Sequence, residues 1–233
     1  MDRVIAIIVA AGKGLRMNSP VRKQFHVLAG QPIIVHTLRR FDTCDLLDHI
    51  IIVLPEDDIE FCRDQFIKPL QYNKKITLVA GGKRRQDSVY NGLQAIDEDK
   101  GVVVVHDGVR PFVSHEKITA CIAGARKCGA CILGIPAYDT LKRISADRFV
   151  LETLDRARIW LAQTPQAFRT ELLKKAHELA KKNGFSGTDD ASIVEQLDIE
   201  VKIIQGSRNN IKITNQQDIK LASRLMEFAS CPG

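Results

Sequence analysis

Val4-Ile-Ala-Ile-Ile-Val-Ala-Ala-Gly-Lys-Gly-Leu-Arg-Met17, with Pro20 and Lys23 close behind it, decides the fold of this chain. The apolar part is short, rich in Val and Ile, and ends at glycines. This is typical of a central parallel strand that enters a loop at the carboxyl edge of a sheet. Glycines there expose backbone N–H groups to an anion, and Arg16 and Lys23 add positive charge. The stretch therefore predicts a buried strand followed by a loop that binds polyphosphate.

Two familiar phosphate-binding motifs do not fit this loop. Met17 stands where a dinucleotide-binding fingerprint has its third glycine, and the Gly-Lys-Ser/Thr ending of a Walker loop is missing. The loop therefore binds phosphate in a different way. The alternative, a basic surface turn after a strand, stays open on this segment alone.

Apolar runs alternate with helical patterns along the rest of the chain. The predicted strands are 4–9, 49–54, 76–80, 102–105, 130–136 and 200–204. The predicted helices are 32–41, 56–66, 87–95, one capped by Ser114, 170–182, one begun at Thr188, and one from a Thr214/Gln217 capping box to about 229. This order predicts an α/β, Rossmann-like fold whose mostly parallel sheet carries helices on both faces.

The alternation breaks at about residues 137–160. Two stretches with apolar residues flank a polar turn at Ser145-Ala-Asp147, which predicts a protruding β-hairpin arm. Apolar residues on both strands need a surface to pack against, so we expect a second subunit there.

Length and composition are those of a globular protein, and we expect a single domain over 1–233. No apolar run is long enough to span a membrane, and the N-terminus enters a strand directly, so the expected location is the cytoplasm. The net charge of +6 comes from cations that stand singly beside glycines, which favours small phosphorylated ligands over nucleic acid. The six cysteines are expected to be packed thiols, since Cys128-x-x-Cys131 has no second pair at zinc-binding spacing.

Candidate functional residues follow the predicted strands, because ligands of open parallel sheets bind where the loops at the strand ends converge. The first loop carries Gly12, Gly14, Arg16 and Lys23; the others are residues 81–88 and 106–111. Asp107 is the best candidate acid, suited to a divalent metal or to sugar hydroxyls. An Asx-turn that merely ends the strand is the alternative. His106 is expected to be structural.

Later segments also combine hydroxyls with single cations. Thr188 stands at a predicted helix N-terminus, which is a natural phosphate site. For Asp189 and Asp190, a functional role and the ordinary preference for acidic residues in the first turn of a helix are both open. Residues 211–213 are predicted to form a short strand in which Lys212 points away from the two isoleucines that flank it; a solvated edge lysine is the alternative. No nucleophilic side chain with a neighbouring base stands out, and no His, Cys or Glu spacing forms a metal cage. In-line displacement at phosphorus needs neither of these, because positioning of the substrates and neutralisation of their charge suffice.

These motifs resemble a known family over essentially the whole chain. Residues 10–17 with Pro20 and Lys23-Gln24 are similar to the signature of sugar-nucleotide nucleotidyltransferases. The stretches 81–89, 106–111, 139–140, 155–156, 163–166, 188–189 and 210–214 narrow the resemblance to 2-C-methyl-D-erythritol 4-phosphate cytidylyltransferases of isoprenoid biosynthesis.

The resemblance implies a role for each matching residue. CTP would be bound by Ala10, Ala11, Gly12, Gly14, Gly82, Ser88 and Gly108. The implied catalytic residues are Arg16 and Lys23 on the triphosphate, Lys23 with Lys212 on the pentavalent α-phosphate, and Asp107. The methylerythritol phosphate would be bound by Asp107, Arg110, Thr164 and Thr188, together with Thr140 and Arg156 from the hairpin of a second subunit. The family also implies a homodimer and Mg²⁺, or another divalent cation, held mainly by the CTP phosphates without a firm protein ligand.

Two other functions are weighed against this one. The chain also resembles D-ribitol 5-phosphate cytidylyltransferases through the nucleotide loops, but its stretch 154–160 is more similar to that of the methylerythritol family. A catalytically silent nucleotide-binding regulator would lack catalytic residues, whereas Arg16, Lys23, Asp107 and Lys212 are all present.

Overall fold

The structure, a computed structural model, describes residues 2–12, 17 and 21–230. The strands of these ranges are β1 (Val4–Val9), β2 (Val27–Leu28), β3 (Gln31–Pro32), β4 (His49–Leu54), β5 (Lys75–Ala80), β6 (Val102–Asp107), β7 (Ala130–Pro136), β8 (Lys142–Ile144), β9 (Val150–Thr153), β10 (Trp160–Arg169) and β11 (Lys202–Gln205). The helices are α1 (Ile33–Asp42), α2 (Ile59–Cys62), α3 (Arg85–Gln94), α4 (His115–Cys128), α5 (Thr170–Lys182), α6 (Asp190–Val194) and α7 (Gln216–Ser230).

A seven-stranded sheet in the order β11-β7-β10-β6-β1-β4-β5 forms the centre of the fold. Its neighbours are parallel except for β10, which runs antiparallel to both β6 and β7. Val9 pairs with Val53 on one side and with Asp107 on the other, so β1, β4 and β6 end side by side. The loops that follow these strands therefore meet at one edge of the sheet.

Helices cover both faces of this sheet, because side chains alternate between the faces along each buried strand. Val4, Ala6 and Ile8 pack in one core with α1, α2 and α4. Ile5 and Ile7 pack in the other core with α3, α5 and α6. A smaller cluster that includes Val109 and Ile213 lies beneath α7. The predicted α/β fold with a mostly parallel, doubly covered sheet is confirmed.

The segment between β7 and β10 contains the predicted hairpin. β8 and β9 pair antiparallel, and every residue of both strands is exposed. Its most exposed apolar side chains are Phe149, Val150 and Leu151, at 73%, 60% and 61%. The role of this arm in joining two subunits stays a prediction.

Sequence patterns missed or misplaced several elements. β10 was not predicted at all, because its Gln, Thr and Pro residues are unusual in a central strand. Residues 211–213 are not a strand; instead the Ile213 N–H donates to the Val109 carbonyl oxygen, and Ile213 is fully buried. The predicted helix at 56–66 is a short 3-10 turn, one turn of α2 and a π-helical segment at Arg63–Ile67.

Two helix starts also differ from those predicted. α6 begins at Asp190 and is capped by Asp189, whose carboxylate accepts from the Ser192 N–H, so Thr188 lies before the cap. The last helix is not capped by Thr214 and Gln217. Asn215 Oδ1 accepts from the Asp218 N–H, and Asp218 Oδ2 accepts from the N–H groups of Thr214 and Asn215.

All five cysteines of the described residues are free thiols, and four of them are buried. None of the helices in the described ranges combines the length and apolar composition needed to span a membrane.

Candidate active site

The loops that follow β1, β5 and β6 surround a cavity of about 780 Å³ at the carboxyl edge of the sheet. Its lining combines loop backbone with basic side chains: Val9, Ala10, Ala11, Gly12, Lys23, Gly81, Gly82, Lys83, Arg84, Arg85, Ser88, Asp107, Val109 and Lys212. The three loops singled out by the sequence therefore converge on one cavity. Gly14, Arg16 and Pro20 lie outside the described residues.

Close packing between two loops shapes one wall of the cavity. A Cβ atom on Gly81 would lie 2.4 Å from Ala11 Cβ and 3.3 Å from the Leu54 carbonyl oxygen, so only glycine fits there. The Gly82 N–H donates to Ser88 Oγ (3.1 Å), and this hydroxyl donates to the Arg84 carbonyl oxygen (3.0 Å). Ser88 thereby fixes the loop in front of α3.

Lys23 reaches Gly12 from a 3-10 turn at Lys23–Phe25. A Cβ atom on Gly12 would lie 3.5 Å from Lys23 Cε and 3.6 Å from Lys23 Nζ. The ammonium group therefore stands at the backbone that ends β1, where a phosphate bound by this loop would meet it. Gly108, on the neighbouring loop, is packed more tightly than Gly12, since its Cβ would lie 3.0 Å from Ala10 Cβ.

Asp107, the last residue of β6, gathers three cations. Its Oδ1 accepts from Arg85 Nε at 3.2 Å, and its Oδ2 lies 3.2 Å from Arg110 Nε and 2.9 Å from Lys212 Nζ. Burial opposes its charge, but Arg85, Lys212 and Arg110 outweigh burial and hold the pKa of the Asp107 carboxyl well below its usual range. A carboxylate so fully paired is an anchor for cations rather than a proton donor.

Lys212 is not a solvated edge lysine. It lies in the irregular segment between β11 and α7, and the bond from Ile213 to Val109 holds that segment beside the loop after β6. With its side chain 35% exposed, Lys212 presents its ammonium to both the cavity and Asp107.

A second, smaller cavity of about 120 Å³ adjoins the first. Arg85, Asp107 and Lys212 line both cavities and so form the wall between them. The remaining lining of the smaller cavity is Arg110, Ala162, Gln163, Thr164, Gln166, Thr188 and Asp189. Three residues assigned by resemblance to the acceptor, Arg110, Thr164 and Thr188, are therefore brought together here.

His106 supports this wall from behind and is structural, as expected. The Asp107 N–H donates to Thr164 Oγ1 (3.0 Å), Thr164 Oγ1 lies 3.1 Å from His106 Nδ1, and His106 Nε2 lies 3.0 Å from the Arg110 carbonyl oxygen. A neutral imidazole satisfies this chain with Nε2–H as donor to the carbonyl oxygen and Nδ1 as acceptor from the Thr164 hydroxyl. Burial lowers the pKa of His106 to about 4.

The two arm residues, Thr140 and Arg156, do not line either cavity of their own chain. Both are exposed, and Arg156 donates to the Tyr138 carbonyl oxygen at the base of the arm.

Sequence analysis missed the roles of Arg85 and Asp190. Arg85 was quoted only as part of the loop 81–88, yet its guanidinium bridges Asp107 and Asp190 at 3.2 Å and 2.8 Å. An arginine at the first position of a helix after a glycine loop was the available signal. Nothing in the pattern around Asp190 showed that this carboxylate would be fully buried.

Among the described residues no group of three or more His, Cys, Asp or Glu side chains could hold a metal. The carboxylate nearest the cavity, Asp107, already accepts from three cations.

A cationic cavity built from glycine loops at the carboxyl edge of a parallel sheet defines the class of protein as one that binds a nucleotide or another phosphorylated ligand. A sequence model of the 2-C-methyl-D-erythritol 4-phosphate cytidylyltransferase family matches residues 4–228. The chain belongs to this family, and the resemblance seen in its motifs is confirmed.

Individual relatives agree over almost the full length. The chain is 46% identical over 225 residues to the 2-C-methyl-D-erythritol 4-phosphate cytidylyltransferase of Syntrophus aciditrophicus, a match that covers 97% of this chain and 96% of that protein. It is also 46% identical over 227 residues to the protein of the same name from Bacillus velezensis, with 97% of both covered.

Solved structures give the same result. The 4-diphosphocytidyl-2C-methyl-D-erythritol synthase of Anaerococcus prevotii superposes with a TM-score of 0.85 at 35% identity, covering 97% of this chain and 96% of that one. The 2-C-methyl-D-erythritol 4-phosphate cytidylyltransferase of Thermus thermophilus gives 0.79 at 30% identity, covering 97% and 100%. These names favour the methylerythritol enzyme over the ribitol alternative.

Proposed function

We propose that this chain joins CTP to 2-C-methyl-D-erythritol 4-phosphate, giving 4-diphosphocytidyl-2-C-methyl-D-erythritol and pyrophosphate for isoprenoid biosynthesis. One observation carries the assignment of the reacting centre: Arg85, Asp107 and Lys212 form the wall between a large cavity and a small one. A reaction between two phosphorylated substrates needs two adjoining sites with cations where they meet.

CTP occupies the larger cavity in this proposal. Ala10, Ala11 and Gly12 carry the nucleotide on their backbone, with Gly82 and Ser88 of the cavity lining around the cytosine and ribose. Gly108, which packs beside Ala10, is assigned to the same site by the family resemblance. The family resemblance adds Gly14 and Arg16 from outside the described residues. Lys23 stands at the glycine loop and neutralises the triphosphate, as a lysine does in other phosphate sites.

Mg²⁺ enters as part of the substrate, bound to the CTP phosphates. When bound there it reduces the negative charge that an incoming phosphate must approach. The lining of the cavity supports this arrangement, since its carboxylate, Asp107, is already paired with three cations of the protein.

The acceptor phosphate binds on the Arg110 side of the wall, in reach of Thr164 and Thr188. One of its oxygens attacks the α-phosphorus of CTP and forms a new P–O bond. The bond from the α-phosphorus to the bridging oxygen breaks, and its electron pair leaves with pyrophosphate. Lys23 and Lys212 stabilise the charge that accumulates on the equatorial oxygens, and Asp107 keeps Lys212 in place.

The exposed arm supports a homodimer in which Thr140 and Arg156 complete the acceptor site of the neighbouring subunit. Its apolar side chains Phe149, Val150 and Leu151 are the surface that a second copy would cover. The free thiols of the described chain are those of proteins in a reducing compartment, which supports a cytoplasmic enzyme.

The test is pyrophosphate release from CTP and Mg²⁺, run in parallel with the methylerythritol and ribitol phosphates. We expect release with methylerythritol phosphate and at most a trace with ribitol phosphate. Lys212→Ala is the matched control and should remove turnover while leaving the circular dichroism spectrum unchanged. Comparable release with ribitol phosphate would contradict the assigned acceptor, and release by Lys212→Ala would contradict the assigned centre.

A further inference from the structure

Asp190 and His177 form a buried pair behind the active site. Asp190 opens α6 and is fully buried, and its Oδ1 lies 3.3 Å from Nε2 of His177, a residue of α5 that is 1% exposed. Neither residue is among those that line the two cavities. An unpaired carboxylate at this depth would be costly, so its partners are expected to matter.

Arg85 is the second partner of Asp190 and connects it to the reacting centre. Its Nη1 donates to Asp190 Oδ2 at 2.8 Å, while its Nε donates to Asp107 Oδ1 at 3.2 Å. The planar guanidinium therefore joins two buried carboxylates that are far apart in sequence. The side chain is held from both ends, which fixes its position at the wall between the cavities.

Because Arg85 contacts only Oδ1 of Asp107, the other oxygen, Oδ2, is available to two other cations. Oδ2 lies 3.2 Å from Arg110 Nε and 2.9 Å from Lys212 Nζ. Without the charge of Asp190, Arg85 would be attracted to Asp107 alone, and a two-point pairing there would compete with Lys212 for Oδ2.

We infer that Asp190 is a positioning residue: held by His177, it keeps Arg85 on one oxygen of Asp107 so that the other oxygen stays with Lys212 and Arg110. This inference rests on the proposed function, because its effect is measured on cytidylyl transfer. Asp190 acts through Arg85 and touches neither substrate.

The experiment is a double-mutant cycle of Asp190→Asn and Arg85→Gln in the full chain, with kcat and both KM values measured. A displaced catalytic group costs up to about 100-fold in rate, so we expect Asp190→Asn to lower kcat by about 10- to 100-fold. The KM of the acceptor should rise more than that of CTP. The double variant should be no slower than Arg85→Gln, because Asp190 has no other route to the site.

Asp99→Asn is the matched control, since it makes the same change in an exposed carboxylate that pairs with Lys174 of α5. Wild-type kinetics in folded Asp190→Asn, or losses that multiply in the double variant, would overturn the inference. Asp190→Glu restores the charge and should recover part of kcat.

His177→Ala keeps the cycle decisive if Asp190→Asn does not fold. It leaves Asp190 charged and paired with Arg85 but removes the tether at Oδ1. A lower kcat with an unchanged KM for CTP supports the inference, and wild-type values overturn it. Inactive wild-type protein would instead count against the proposed function, so the two failures are distinguishable.

Discussion

His106 shows how one buried side chain makes the stability of this protein depend on pH. It is packed 4.8 Å from the Phe41 ring, ring centre to ring centre, and is 0% exposed. Burial lowers its pKa to about 4, whereas an exposed histidine in the unfolded chain titrates near its ordinary value of 6.5. Between pH 4 and pH 6.5, His106 is therefore protonated in the unfolded chain but neutral in the folded protein. Acid therefore favours unfolding in this window.

We predict that the free energy of unfolding falls by roughly 3 kcal/mol between pH 7 and pH 4, at most about 1.4 kcal/mol for each pH unit and histidine. His49, whose pKa burial also lowers, acts in the same direction. Below about pH 4 the loss continues, because Asp107 and Asp190 are then protonated in the unfolded chain but stay charged in the folded protein, where their pKa values are lowered. Urea titrations at several pH values check this. His106→Gln should have a shallower dependence than the wild type, and equal slopes would contradict the role of His106.

The start of α7 is the element whose capping the structure corrects. Asp218 Oδ2 accepts from the Thr214 N–H, the Thr214 hydroxyl and the Asn215 N–H, at 2.7, 2.8 and 3.0 Å. These bonds hold the chain between Lys212 and the helix. We predict that Asp218→Ala lowers the free energy of unfolding by about 1 kcal/mol, the usual cost of losing a helix cap.

Gln217→Ala is the matched control for this cap. Gln217 is exposed and was the residue that the sequence pattern paired with Thr214. A surface substitution of this kind changes stability by at most about 0.5 kcal/mol. Thermal or urea unfolding of the two variants separates the possibilities, and a larger loss in Gln217→Ala would favour the box predicted from the sequence.

Sequence patterns predicted the elements whose burial is uniform. β1, β4 and β6 are runs of Val and Ile, so their place at the centre of the sheet follows from composition alone. β10 escaped notice because residues 163–166 serve the site as well as the sheet: Thr164 and Gln166 line the smaller cavity, and a proline separates them. Polar residues that serve the site interrupt the apolar pattern by which a strand is predicted from the sequence.

The site was predictable up to its loops. Glycines and lone cations after β1, β5 and β6 indicate where a phosphate binds, since the ends of parallel strands must meet. The pairing of Arg85 with Asp190 was not predictable, because 105 positions separate the two residues and their contact depends on how α3 and α6 pack against the same face. Long-range ion pairs of this kind leave no periodic signal in a single sequence.

At the scale of the whole molecule, the open question is which subunit the arm serves. Thr140 and Arg156 line neither cavity of their own chain. The hairpin between these two residues exposes the apolar side chains of Ile144, Phe149, Val150 and Leu151. An arm that packs on a second copy would place Arg156 at that copy's acceptor site. Each active site would then need residues from two chains.

We predict that mixing two inactive variants restores activity. Arg156→Ala damages only the arm, and Lys212→Ala damages only the core. In a mixed dimer, one active site therefore contains both an intact Arg156 and an intact Lys212, and the other active site contains neither. Random exchange of subunits makes about half of the dimers mixed, each with one good site, so about a quarter of wild-type activity should appear. Pyrophosphate release before and after co-refolding of equal amounts measures this. As a control, the recovered activity should disappear when Phe149→Glu is added to both chains, because this change prevents the arm from packing. A mixture that forms dimers but stays inactive would show that each arm serves the active site of its own chain.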